Sequence, residues 1–328
     1  MRRILITGSS GFIGTNVAAF YAAIGDQIAC VDWRQPQNQA HQPHFHNVDL
    51  MDRQALDQLC QSFQPTHIIH LAARTDLNGR GLNDYEVNWR GTTNLIDAVA
   101  SCVSLERIIF TSSMLVCRPG YPPVDALDTC PTTPYGESKV LMEQKIFAAG
   151  LQVPWVIIRP TSIWGPWFGE PYRNFFDHVV GRRFFAIDAP MAQKTFGYVG
   201  NAVRQIDALL TTERDLIDQK LFYIGDDPAL AIDAFADRIR ARLGRAAALR
   251  LPPSALSGLA RLGDVLGAVG IPFPMSSFRL SNMLHDNVQD VLPVSKLVTA
   301  PPVGLDEAID DTLHWMGSLR PSRRAEAD

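Results

Sequence analysis

Tyr135 and Lys139 stand four residues apart in the run PYGESK, ahead of apolar Val140, Leu141, Ile146 and Phe147. That pattern predicts a helix from about 135 to 149, with both side chains on one face. An ammonium beside a phenol favours the phenolate, so a group that normally ionises near pH ~10 becomes a usable acid or base. Upstream, RIIFT at 107–111 reads as a strand ending in Ser112 and Ser113, whose hydroxyls suit the oxygen of a carbon being oxidised or reduced. Many helices carry a tyrosine and a lysine at this spacing, so the pair gains meaning only from what surrounds it.

Such chemistry needs an electron carrier, and the opening residues MRRILITGSSGFIG provide a place for one. Ile4, Leu5 and Ile6 form a short apolar run of buried-strand type. Gly8, Gly11 and Gly14 then lead into a helical pattern with Phe12, Ile13, Val17 and Ala18. A helix N-terminus with free amides and no Cβ in the way is a pyrophosphate site. A second strand, 27–31, ends at Asp32, where a carboxylate meets adenosine ribose hydroxyls and repels a 2′-phosphate. NAD is therefore expected over NADP, with Arg34 nearby as the one feature against it. A fourth strand, 66–71, ends at Leu71 and is followed by Ala72, Ala73 and Arg74; the small alanines suit a cofactor lying across the backbone or, equally, a simple tight turn.

The elements that must hold these groups alternate. A third short strand is expected to end at Asp49 and Leu50, and helices are expected over 53–63 and 83–100. Asn88, a poor helix former at an interior position, points to a side-chain bond with nearby backbone. Strand, helix, strand in this order predicts an α/β, Rossmann-like doubly wound parallel sheet with a smaller C-terminal substrate lobe. Its division is expected as 1–165 with 191–225 returning to the sheet, 166–190 and 226–318 as the lobe, and a disordered tail from 319 to 328. The 328 residues are 46% hydrophobic, ample for a core of that size, and the net charge of −4 without a basic run argues against nucleic acid. There is no apolar run of membrane-spanning length, so no membrane partner and a cytoplasmic address are expected. The five cysteines lack metal-ligand spacing and are expected as reduced thiols; His41, His44 and His46 read as a polar loop, and no metal is expected.

Together these pieces resemble the extended short-chain dehydrogenase/reductases, in the nucleotide-sugar epimerase and dehydratase branch. The likeness is carried by TGSSGFIG (7–14), Asp32, Asp49 and Leu50, HLAAR (70–74), Asn88 and Gly91, FTSS (110–113), YGESK (135–139) and RPTSIWGP (159–166). It implies Tyr135 as proton donor or acceptor, Lys139 on the nicotinamide ribose and tuning Tyr135, and Ser113 on the reacting oxygen. It also implies a dinucleotide lined by Gly8, Gly11, Phe12, Ile13, Gly14, Asp32, Arg34, Asp49, Leu50, Leu71, Ala72, Ala73 and Asn88, with hydride passing between sugar carbon and NAD. A nucleotide-sugar substrate, a role in polysaccharide biosynthesis and a homodimer through 83–100 and 135–149 follow from the same resemblance.

Departures narrow the reaction. Sugar 4,6-dehydratases of this branch carry an Asp-Glu pair after the active-site hydroxyl, whereas Ser113 is followed by Met114 and Leu115, which move no proton. Epimerisation at C4 is the reading that remains foremost. In the lobe, WFGEPYRNFF (167–176) is rich in aromatics around Arg173 and Asn174, suiting a sugar or base ring or, equally, a hydrophobic staple. Arg74, Ser113, Arg173, Asn174, Lys194 and Arg279 are the candidate substrate contacts. YVGN (198–201) resembles the hydroxysteroid dehydrogenases, so the competing reading is a keto-sugar reductase or a 3-beta-hydroxysteroid-type dehydrogenase. A dinucleotide-binding regulator without activity is the remaining alternative, disfavoured by intact Tyr135 and Lys139.

Overall fold

In the computed structural model, described over residues 1–190, 192–268, 277, 280 and 284–319, the apolar runs become strands of one sheet. These are β1 (Arg3–Thr7), β2 (Gln27–Asp32), β3 (Phe45–Asn47), β4 (His67–His70), β5 (Arg107–Thr111) and β6 (Trp155–Pro160). A seventh, Lys220–Ile224, pairs with β6. The order across the sheet is Lys220–Ile224, β6, β5, β4, β1, β2, β3, with every pair parallel. Ile4, Leu5, Ile6, Ile68, Ile69, Ile108 and Ile109 are wholly buried, because helices cover both faces; this is why the strands read as continuous rather than alternating apolar runs.

The connecting helices are α1 (Phe12–Ala23), α2 (Arg53–Phe63), α3 (Thr92–Ala98) and α4 (Pro134–Ala148). From β1 the chain winds outward to β3 and then returns to β4 on the other side of β1. That reversal opens a crevice at the carboxyl ends of β1 and β4, where sheets of this kind take ligands. α4 is started by local chemistry: the Gly136 N–H donates to Thr133 Oγ1 at 3.0 Å, and Pro134 occupies the first turn.

Two expectations change. The helix expected over 83–100 is instead a 3-10 turn at Leu82–Tyr85, a π turn at Val87–Gly91, α3 and a 3-10 turn at Val99–Ser101. The Asn88 amide is drawn away to other backbone, and the hydroxyls of Thr92 and Thr93 donate to the carbonyls of Asn88 and Trp89, which widens the turn. The third strand ends at Asn47, so Asp49 lies beyond it in a turn, where its Oδ1 accepts from the Met51 N–H at 2.9 Å.

The chain forms two compact units. The first, 1–161, 199–225 and 290–302, holds the sheet. The second, 162–198, 226–289 and 303–328, holds short paired strands and the helices Tyr172–Val180, Ile232–Arg242, Pro253–Ala268 and Leu305–Trp315. Relative to the expected boundaries, 162–165 and 192–198 count with the second unit and 290–302 with the first. Trp164, Phe176 and Phe235 are buried at the centre of the second unit. Phe168 and Phe176 of the aromatic run thus serve as core. Among the described residues, no helix is long and apolar enough to cross a membrane. The tail from 320 lies outside the described residues.

Candidate active site

At the start of α4, Tyr135 is 7% exposed, with its ring 5.9 Å from that of Tyr85. One turn on, Lys139 is buried, and its Nζ donates to the Thr111 carbonyl at the end of β5 at 2.8 Å and lies 3.7 Å from Met142 Sδ. Burial pushes the Lys139 ammonium down to about 7, against the opposing pull of the Glu143 carboxylate. Two residues beyond Thr111, Ser113 caps the turn Met114–Val116: its Oγ accepts from the Leu115 N–H at 3.1 Å and keeps its own proton to donate. The backbone of β5 and the first turns of α4 thereby bring a hydroxyl, a phenol and an ammonium to one end of the sheet.

Beside this trio lies the glycine turn. Gly8 takes φ +71, and a Cβ there would sit 2.6 Å from the Ala72 nitrogen, so the turn rests directly on the end of β4. Gly11 precedes α1 without a side-chain cap, and a helix N-terminus of that kind attracts an anion. The Asp32 carboxylate, buried at the end of β2, accepts from the Ser10 N–H at 3.1 Å and the Arg34 N–H at 2.9 Å. The Arg34 guanidinium itself is exposed over Trp33. Among the described residues, the buried hydroxyls of Ser9, Thr111 and Ser112 have no hydrogen-bond partner. Buried hydroxyls are rarely left unpaired. They follow or end β1 and β5, where a dinucleotide's phosphates, riboses and carboxamide would supply partners, so the donor and acceptor set fits NAD.

A model of the NAD dependent epimerase/dehydratase family matches residues 4–225, which contain the whole of this arrangement. The chain belongs to that family. Among curated proteins it is 26% identical over 95% of its length, and 94% of the other's, to N-acetyl-alpha-D-glucosaminyl-diphospho-ditrans,octacis-undecaprenol 4-epimerase of Escherichia coli O157:H7. It is 28% identical to dTDP-L-rhamnose 4-epimerase of Burkholderia thailandensis, covering 80% of this chain and 86% of that one. Among solved structures, UDP-glucose 4-epimerase of Thermus thermophilus in complex with NAD shares the fold, at TM-score 0.71 and 22% identity over 97% of this chain and all of that one. This member of the NAD-dependent epimerase/dehydratase family is accordingly an enzyme, and NAD is its cofactor.

Other expected site residues of this family member have structural employment. The Asn88 amide is fully engaged: Oδ1 accepts from the Arg74 N–H at 2.7 Å, and Nδ2 donates to the Arg74 carbonyl at 3.0 Å and to Ser138 Oγ at 2.9 Å. It splices the strand β4 exit to α4 rather than reaching outward. The Arg74 guanidinium donates to Asp76 and to the Asp84 carbonyl and lies 5.0 Å from the Tyr85 ring centroid. Leu50 is buried against Gly91, and Leu71, Ala72 and Ala73 are half-buried along the β4 exit.

In the second unit, Arg173 pairs with Asp177 and lies over Trp315. The Asn174 carbonyl contacts His178 Nδ1. Lys194 is buried and donates to the His285 carbonyl at 2.9 Å, and burial lowers its ammonium from the usual range. Arg279 lies outside the described residues.

Sequence reasoning missed His70, whose two ring nitrogens contact Thr7 Oγ1 at 2.7 Å and Thr92 Oγ1 at 2.8 Å. Burial and the nearby Lys139 charge push its imidazolium down to about 3, so it is a neutral link between β1, β4 and α3. It missed Glu143 as well, four residues past Lys139, which holds buried Arg159 through two bonds of 2.9 and 2.7 Å. The spacing from Lys139 was the available signal for Glu143; Tyr85 was marked as an apolar helix position and not as a neighbour of Tyr135.

Proposed function

We propose that this enzyme inverts the C4 centre of a hexose carried on a diphosphate, with a nucleoside diphosphate sugar as the expected substrate class. The observation that carries the reading is Ser113 with Tyr135 and Lys139, where Ser113 is followed by Met114 and Leu115, whose side chains move no proton off C5 or onto a leaving hydroxyl. Support comes from the likeness, over 95% and 80% of this chain, to two proteins named as 4-epimerases.

In this reading Ser113 Oγ donates to the sugar's O4 and holds it against Tyr135. The Tyr135 phenolate removes the O4 proton as the C4 hydrogen leaves, and later returns that proton to the same oxygen. The Lys139 charge favours the phenolate, and its hydrogen bond to Thr111 fixes where that charge sits. Gly8, Ser9 and the N-terminus of α1 would hold the pyrophosphate of NAD, Asp32 the adenosine ribose, and Lys139 with Thr111 and Ser112 the nicotinamide half. NAD supplies a two-electron acceptor that is restored within each turnover. Two corollaries belong to the reading: a homodimer packed through α3 and α4, and a cytoplasmic address, with five free cysteines in keeping with a reducing compartment.

The test is to denature the purified protein, identify released small molecules by mass spectrometry, and then follow C4 inversion by NMR on UDP-, GDP- and dTDP-sugars and a polyprenyl-diphosphate sugar. Stoichiometric NAD and inversion without net change in nicotinamide absorbance are expected. An empty site with stoichiometric consumption of added cofactor would replace epimerisation by a reductase or dehydrogenase reaction. Light scattering gives the mass; a monomer at working concentration removes the dimer.

A further inference from the structure

Cys117 and Cys130 stand opposite one another on the segment that joins Ser113 to Tyr135. The Arg118 N–H donates to the Cys130 carbonyl and the Cys130 N–H to the Val116 carbonyl, both at 2.9 Å, forming an isolated parallel bridge that pairs the two cysteines. Residues paired in this way have Cα atoms about 4.8 Å apart, inside the span of a disulfide, and their side chains leave the ribbon on the same side. Both are free thiols; Cys117 is buried, with Sγ 3.6 Å from the Asp128 carbonyl, and Cys130 is half-buried.

The pair is mechanically tied to the site. Cys117 closes the turn that Ser113 opens, through its N–H to the Met114 carbonyl at 3.2 Å, while the Leu115 N–H is held by Ser113 Oγ. On the far side the loop is pinned, because buried Arg159 donates to the Ala126 carbonyl at 2.8 Å and Tyr121 donates to Asp128. Movement of the Cys117 side chain therefore falls on the Ser113 turn.

We propose that Cys117 and Cys130 form an oxidisable dithiol site, converted by a small-molecule disulfide such as glutathione disulfide into an intrachain disulfide that displaces Ser113 and halts turnover. The Cys130 thiolate, the more accessible of the two, attacks glutathione disulfide and releases one glutathione thiolate. The Cys117 thiolate then attacks the Cys130 sulfur of the mixed disulfide and releases a second glutathione. Two protein thiols lose two protons and two electrons, and one glutathione disulfide is reduced to two glutathiones. Side chains directly opposite in a parallel pair start farther apart than a relaxed disulfide allows, so closing the bond moves the Ser113 turn and leaves the bond readily reducible. The other neighbouring pair, Cys60 and Cys102, lies in the core away from any entering disulfide.

The inhibitory half rests on the proposed function; the disulfide itself does not. The full-length protein is incubated with glutathione disulfide, alkylated and digested, and its peptides are mapped by mass spectrometry. A linked 117–130 peptide, absent in C117S and in C130S and lost with dithiothreitol, is expected. Turnover is expected to fall roughly 10-fold or more on oxidation, to return on reduction, and to resist oxidant in C130S. Both thiols alkylated, Cys130 left glutathionylated, or a 60–102 link instead would overturn the site. A 117–130 link with unchanged turnover would overturn the effect on Ser113. No turnover in the reduced protein would count against the proposed function alone, because the peptide map still decides the dithiol.

Discussion

Lys139 is a cation held where water cannot reach it. Its hydrogen bonds go to a carbonyl and a thioether, and its ordinary value of 10.5 falls to about 7. Between those values the unfolded chain binds the proton more tightly than the folded one, so stability rises with pH across that window and the cost is complete below pH 7. Lys139→Met removes the charge but keeps the length. The variant is expected to be more stable than the parent at pH 6 by on the order of 2–5 kcal/mol, with the gap closing as pH approaches ~10.5. Urea unfolding at pH 6 and at a pH near 10 checks the sign: a gap that widens with pH refutes it. The same variant should lose turnover, because nothing then favours the Tyr135 phenolate. Tyr135→Phe should lower turnover by about 10²–10⁴-fold, read as C4 inversion by NMR. These residues were legible because an i, i+4 spacing, a strand-end serine and an acid after the second strand each have a direct geometric meaning. Arg74 was not legible as a loop organiser, because the partners of its guanidinium, Asp76 and the Asp84 carbonyl, are brought to it only by the folding of its own loop.

At the scale of elements, Asn88 decides how the region after β4 meets α4. Its three bonds join the Arg74 backbone to Ser138, whose own hydroxyl donates to the Tyr135 carbonyl at 2.6 Å. Asn88→Ala leaves the part-buried Arg74 N–H and carbonyl without these partners, at a cost of about 1–3 kcal/mol in all, since water reaches them in part. Chemical unfolding should show destabilisation of that order, together with reduced turnover from a misplaced Tyr135. Destabilisation without any loss of turnover would separate Asn88 from the site. The sequence indicated that Asn88 bonds to backbone, and the structure names the backbone, fourteen residues upstream. It did not reveal that this bond, with Thr92 and Thr93 donating to carbonyls one turn back, breaks one long helix into four short pieces, because the apolar spacing of Tyr85, Leu95, Ile96 and Val99 fits a continuous helix as well. The parallel strands were easier to read, since each is an apolar run bounded by turn residues and buried on both faces.

Over the whole molecule, the sheet-bearing unit is assembled from three separated stretches, 1–161, 199–225 and 290–302. The first half of the chain was readable because its strands and helices follow one another locally. The second unit was not, because its short strands find partners far along the chain: Gln193–Lys194 pairs with Leu230–Ala231, and Ala186–Ile187 with Arg250–Leu251. The discontinuity has a consequence for the first unit. Lys220–Ile224 completes the hydrogen bonds of β6 over five residue pairs, and the Thr161 N–H donates to the Ile224 carbonyl. The helix Val199–Thr211 buries Val203, Ile206, Leu209 and Leu210, its Asp207 pairs with Arg2 at 3.0 Å, and Arg107 donates to the Leu209 carbonyl at 2.7 Å. A chain ending at Thr161 retains every glycine of the phosphate turn, Asp32, Ser113, Tyr135 and Lys139, yet it exposes the β6 edge and the apolar surface beneath that helix. It is expected to show no cooperative thermal transition and no response to NAD. The full chain is expected to melt cooperatively and to gain about 2.7 kcal/mol at an NAD concentration 100 times its Kd. Calorimetry of both chains with and without NAD decides the matter: a cooperative, NAD-stabilised transition in the short chain would mean that the first 161 residues fold and bind without the returning strand and helix.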